Sequence, residues 1–294
     1  MNRQDCEKLV PMGLTLYNRI VDSEIDPVIR VLSGEETDME MRILCDRAGV
    51  PYQAEKVVLG LALRGSKKDI ALISAPGVNS DFQFLQVMWH EMGHCSYRLN
   101  NPDGVLYGHD DPAKLYERKM IAGVVEKFWD EAIAQCAANK VIETVPREII
   151  DAVCPDYVAQ NIAERNLLSF FLHKGIADQN GGSKCDEPLL KLMGIPFDPY
   201  CLAIYCAEMA TNKLIAANRV DVQDGNPELD AALAGLSDLV LAQSECDNCF
   251  AISESRKEET ILAFADVAKA LGAADHTIQL MDMSLKDFAA TLQK

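Results

Sequence analysis

Two of the chain's five histidines stand four residues apart in VMWHEMGHCSYRL, residues 87–99, and Glu91 directly follows the first of them. Positions four apart lie on one face of a helix, about one turn from each other. The imidazoles of His90 and His94 can therefore reach a single zinc ion. Glu91 is turned by about 100° from His90 around the same helix. It can meet a water on the metal without filling a ligand position. The chemistry this spacing serves is hydrolysis. Zinc acidifies its water and polarises a substrate carbonyl, while the glutamate takes the water's proton and returns it to a leaving amine. The bland alternative is three polar residues in this order by coincidence.

Such a site needs a third protein ligand. The extended form HExxHxxGxxH is not met, because Tyr97 stands at the glycine position and Asn100 at the third histidine. The best candidate elsewhere is Glu131, in FWDEAIAQCAANKVI. Ala134 and Ala138 follow it at one and two helical turns, and small residues there would let this helix approach the motif helix. Phe128, Trp129 and Ile133 surround Glu131 with apolar neighbours, which disfavours an unpaired charge. Glu117, Glu126 and Asp130 compete for the role. A solvated acidic face is the ordinary meaning of such residues.

The elements that must position these groups read as follows. Residues 1–50 look helical, including DPVIRVLSG and DMEMRILCDRAG. KVVLGLAL and DIALIS, separated by RGSKK, are short apolar runs around a polar turn with a glycine, which predicts a β-hairpin. Ser80 and Gln83 have capping-box spacing, so the motif helix should start there and stop near Asn100, before NNPDG. A second long helix is expected from about Pro112 to Ile142, capped by Asp111, with Gly123 able to bend it. Beyond Pro146 the chain reads as predominantly helical, with PELDAALAGLSDLVLAQS, EETILAFADVAKALG and SLKDFAATLQ showing helical period and caps. DQNGGSKCDEP is a loop or a joint. The expected fold is mostly helical α+β, with a short antiparallel hairpin or edge sheet beside the active-site helix. The division is a zincin-like catalytic region at 1–145 and a helical region at 146–294.

HEMGH followed by a separate helix bearing EAIAQCAA resembles the HExxH gluzincin zinc metallopeptidases. The Glu-x-x-Ala-x-x-x-Ala spacing is similar to the ImmA/IrrE-type minimal gluzincins over roughly residues 55–142. The resemblance implies an edge hairpin, a motif helix and a glutamate helix, with His90, His94 and Glu131 as zinc ligands and Glu91 as the base. The sequence departs from the pattern at Gln135, where many such members carry Asn. The thermolysin-like Asn-Glu and later Asp are also replaced, by Asp130 and Gln135.

Composition narrows the partners. With 28 basic against 45 acidic residues the formal charge is −17. That argues against nucleic acid or an anionic membrane, which call for basic patches. No secretory signal or membrane span is read, so the expected location is cytoplasmic and the ten cysteines are expected to be reduced thiols. The pair Cys246 and Cys249 has Cys-x-x-Cys spacing, but lacks a second close pair to complete a zinc site. Cys95 reads as packing. Tyr107, His109, Tyr116 and His173 are candidate donors to a tetrahedral oxyanion, each more simply a structural or surface residue. The leading expectation is a zinc-dependent peptidase with one Zn2+ and a peptide or protein substrate. The rivals are a zinc-stabilised, non-catalytic helical binding or regulatory protein, and a helical adaptor without metal.

Overall fold

The computed structural model describes residues 1–48, 52, 59–63, 67–102, 119–153, 195–211, 226–273 and 275. The fold is mostly helical α+β. The chain divides into two compact units: Met1–Asn100 with Ala134–Gln160, and Asn101–Ile133 with Asn161–Lys294.

The first unit opens with α1 (Arg3–Val21), capped by Asn2, whose side chain accepts from the Asp5 amide. DPVIRVLSG, expected to be helical, is instead strand β1 (Val28–Leu32). Three of its five residues are β-branched, which favours extended backbone, and Pro27 starts the run. The strand pairs in parallel with β3 (Ile70–Ser74), from Val28 opposite Ile70 to Leu32 opposite Ser74. Between them come α2 (Gly34–Ala48), as expected, and β2 (Gly60–Leu63). β2 and β3 form the expected antiparallel hairpin, in register from Gly60 opposite Ile73 to Leu63 opposite Ile70. Among the described residues the hairpin is thus two strands of a three-stranded mixed sheet, ordered β1-β3-β2. The central strand β3 is its most buried, with Ala71 and Ile73 at 0 % exposure.

The motif lies on α3 (Asp81–Asn100). Ser80 Oγ accepts from the Gln83 amide at 3.1 Å, and Gln83 reaches back to accept from the Asn79 amide at 2.7 Å. The expected capping exchange is present, displaced by one residue on its return arm. One side of α3 packs on β2 and β3, and another on α1. At the α1 crossing Gly13 lets the helices close up: a Cβ there would stand 1.9 Å from Met88 Cε. Trp89 Nε1 donates to Gly13 O at 3.0 Å, and Tyr17 Oη shares a buried hydrogen bond with Ser96 Oγ, also at 3.0 Å. These bonds set the axial position of α3 and with it the positions of His90 and His94.

The second long helix, α4 (Lys119–Thr144), runs without interruption through Gly123. Its expected start, near Pro112, lies outside the described residues. Val145 and Pro146 end it, and the short α5 (Arg147–Val153) follows. The unit boundary falls within α4, after Ile133.

The second unit contains α6 (Pro199–Thr211), α7 (Pro227–Ser244) and α8 (Glu254–Ala270). PELDAALAGLSDLVLAQS is α7 from end to end, with Asn226 accepting from the Leu229 amide as its cap. α7 packs on both α6 and α8. Phe264 of α8 meets Phe128 edge-on, with centroids 5.2 Å apart, and Phe197 at 5.3 Å. Trp129 Nε1 donates to Thr260 Oγ1 at 3.0 Å. SLKDFAATLQ and DQNGGSKCDEP lie outside the described residues. No helix among the described residues is long and apolar enough to cross a membrane.

Candidate metal centre

His90 and His94 share one face of α3, as their spacing requires. Their Nε2 atoms are 3.1 Å apart, and the ring planes stand at 90° with centroids 4.7 Å from each other. Two basic nitrogens held this close have room for a cation beside both. A tetrahedral divalent ion with ligand bonds of about 2.0–2.1 Å separates its ligand atoms by ~3.4 Å. The imidazole spacing is close to that requirement.

Glu131 on α4 is the third member of the group found among the described residues. One ligand atom each from His90, His94 and Glu131 lie within 4.8 Å of one another, and this group can hold a metal ion. His94 is buried, while His90 and Glu131 are half-buried. The group is oxygen and nitrogen only, a donor set suited to a borderline divalent ion.

Why α4 comes so near α3 is a matter of two small residues. Ala134 was expected to permit a close approach, and its counterpart is Gly93, the glycine inside HEMGH. A Cβ on Gly93 would meet Ala134 Cα at 2.5 Å and Ala134 O at 2.8 Å. The helices touch backbone to backbone there, and Glu131 lies one turn before Ala134.

Glu91 points elsewhere on α3, as its rotation around the helix predicts. It is 5 % exposed and lies against β2, where a Cβ on Gly60 would stand 2.5 Å from Glu91 Oε1 and 2.8 Å from its Cγ. Only a glycine at this point of the strand leaves room for the carboxylate in its present place.

Gln135, one turn beyond Glu131, was noted in the sequence only as a departure from a family pattern. Its Oε1 is 3.0 Å from His90 Nδ1, and its Nε2 donates to Asn139 Oδ1 at 3.1 Å. Glu131, Gln135 and Asn139 follow each other at four-residue steps and so form one stripe along α4. That spacing was the available signal for the two amides. Gly60 and Gly93 carried no comparable signal, since a glycine in a sequence does not say which neighbour it admits.

Among the competitors for the third ligand, Glu126 is taken by Lys257: the two form an ion pair, and Lys257 also pairs with Glu254 at 3.2 Å. Burial pulls the Lys257 amine down, but the bond to Glu126 and the two carboxylates together carry it above its ordinary value. Asp130 lies outside the ligand group found among the described residues. Glu117, Tyr107, His109, Tyr116 and His173 are outside the described residues.

Cys95 is buried on α3, as expected of packing, and Cys206 is buried so fully that its thiol is pushed up to about 12. Cys246 is exposed just beyond the C-terminus of α7, and its thiol donates to Ala242 O at 3.2 Å. The chain matches no protein-family model, no curated protein and no solved structure.

Proposed function

We propose that the protein is a zinc-dependent metallopeptidase. The observation that carries the reading is the grouping of His90, His94 and Glu131 ligand atoms within 4.8 Å, beside a buried glutamate that is not one of the three. Among the described residues the group has three protein ligands, the pattern of catalytic zinc, which keeps a fourth position open, whereas structural zinc is closed by four. A site that only braces two helices has no use for Glu91.

His90, His94 and Glu131 would hold the ion. Bound there, zinc would supply an acidified water and a Lewis acid for the substrate carbonyl. Glu91 is the proton carrier: its carboxylate accepts the proton of the attacking water and delivers it to the amine as the peptide bond breaks. Its burial against Gly60 keeps it in place and limits its hydration. The same strand also suits a peptide. Among the described strands β2 is an outer one, and an extended chain laid along such a strand gains backbone hydrogen bonds irrespective of its sequence. A peptide or protein substrate is therefore the better fit than a small compact molecule.

The test is digestion of a broad peptide library by the zinc-loaded protein and by Glu91→Gln. The variant should retain its zinc and lose activity by ~10²–10⁴-fold, the usual worth of a general base. Equal cleavage by both proteins, or cleavage that survives a chelator, would remove the peptidase reading.

A further inference from the structure

We infer that Gln135, braced by Asn139, is a positioning residue that holds His90 in the tautomer able to bind a metal. The inference rests on the zinc reading above.

A neutral imidazole has one protonated and one bare nitrogen, and the partner of one nitrogen decides the state of the other. His90 Nδ1 is 3.0 Å from Gln135 Oε1. An amide oxygen only accepts, so Nδ1 carries the proton. Nε2 is then bare, and it is the nitrogen that faces His94 Nε2 at 3.1 Å. The bond therefore selects the ring nitrogen that a cation at the site requires.

The amide cannot turn over unless Asn139 turns with it. Gln135 Nε2 donates to Asn139 Oδ1 at 3.1 Å, and Asn139 is 1 % exposed. A flipped Gln135 would set two amide oxygens against each other at that distance and aim an NH2 at His90 Nδ1. The proton would then have to move to Nε2, where it blocks ligation. One stripe of α4 thus carries a ligand, the group that orients a second ligand, and the group that orients the orienter.

The device is uncharged. A carboxylate in the same place would select the same tautomer and also make the ring a stronger donor. Gln135 aims His90 without adding an anion to the site.

Two measurements test the inference. Long-range proton–nitrogen spectra of the metal-free protein at mildly alkaline pH, with His90 assigned by loss of its signals in His90→Gln, should show Nδ1 protonated and Nε2 bare. The opposite tautomer overturns the proposal without any variant having to fold. The second measurement is competitive zinc titration of the wild type, Gln135→Met and Gln135→Glu, alongside thermal unfolding of each in metal-free form. Gln135→Met, which keeps the side-chain length but has no acceptor oxygen, should bind zinc ~10–100-fold more weakly at nearly unchanged metal-free stability. Gln135→Glu should bind at least as tightly as the wild type, because it restores the acceptor. Equal affinity of wild type and Gln135→Met, or equal weakening in both variants, overturns the positioning role while leaving the zinc site intact. A wild type that binds no zinc removes both readings.

Discussion

Glu91 and Gly60 form the pair on which the proposed chemistry turns at the scale of single residues. The placement of the glutamate could be read from the sequence, because His-Glu-x-x-His turns its carboxylate by about 100° from His90 around the helix. The glycine could not be, since its meaning lies in a contact from a strand 31 positions away. Gly60→Ala is accordingly the most selective change available. Its new methyl would stand 2.5 Å from Glu91 Oε1 and 2.7 Å from Val87 Cγ1. The far end of a flexible side chain gives way before backbone does, so Glu91 should swing while the ligands stay. We expect kcat/KM on a cleaved peptide to fall by ~10²-fold, as for a misplacement of about 1 Å. Zinc affinity should change little, and titration of the same sample reads it.

The contact between α3 and α4 at Gly93 and Ala134 is what the elements contribute. Ala134 was readable as a small residue one turn from Glu131, and the capping pair Ser80–Gln83 gave the start of α3 directly. Both are local signals. β1 was misread because DPVIRVLSG is too short for period to decide between helix and strand, and its extended state depends on β3, some 40 residues later. Gln135 and Asn139 were hidden for a similar reason: polar residues on a helix default to a solvated face until the facing helix is known. Gly93→Ala tests the helix contact. Alanine favours an isolated helix by ~1 kcal/mol over glycine. Against that, the added methyl would stand 2.5 Å from the Ala134 Cα, which cannot rotate away. Overpacking of this kind costs about 1–3 kcal/mol, so steric strain outweighs propensity. Denaturant unfolding should show a net loss of stability, and zinc titration a weaker site, because Glu131 lies one turn from Ala134 on the same helix.

For the whole molecule, a metal held by this group would be linked to the folded state. His90 and His94 come from one helix and Glu131 from another, so unfolding disperses the group. A ligand that binds only the native chain stabilises it, by ~4 kcal/mol at a thousandfold excess over Kd. Thermal unfolding should therefore move to lower temperature on chelation and recover when zinc is restored. His90→Ala should show neither shift. The central claim is that one divalent ion sits among His90, His94 and Glu131. It is tested most directly by elemental analysis of purified protein after equilibration with zinc and removal of the excess. The account predicts one zinc per wild-type chain, with the ion lost or greatly weakened in each of His90→Ala, His94→Ala and Glu131→Ala. A wild type without stoichiometric zinc, or variants that keep it as firmly as the wild type, would contradict it.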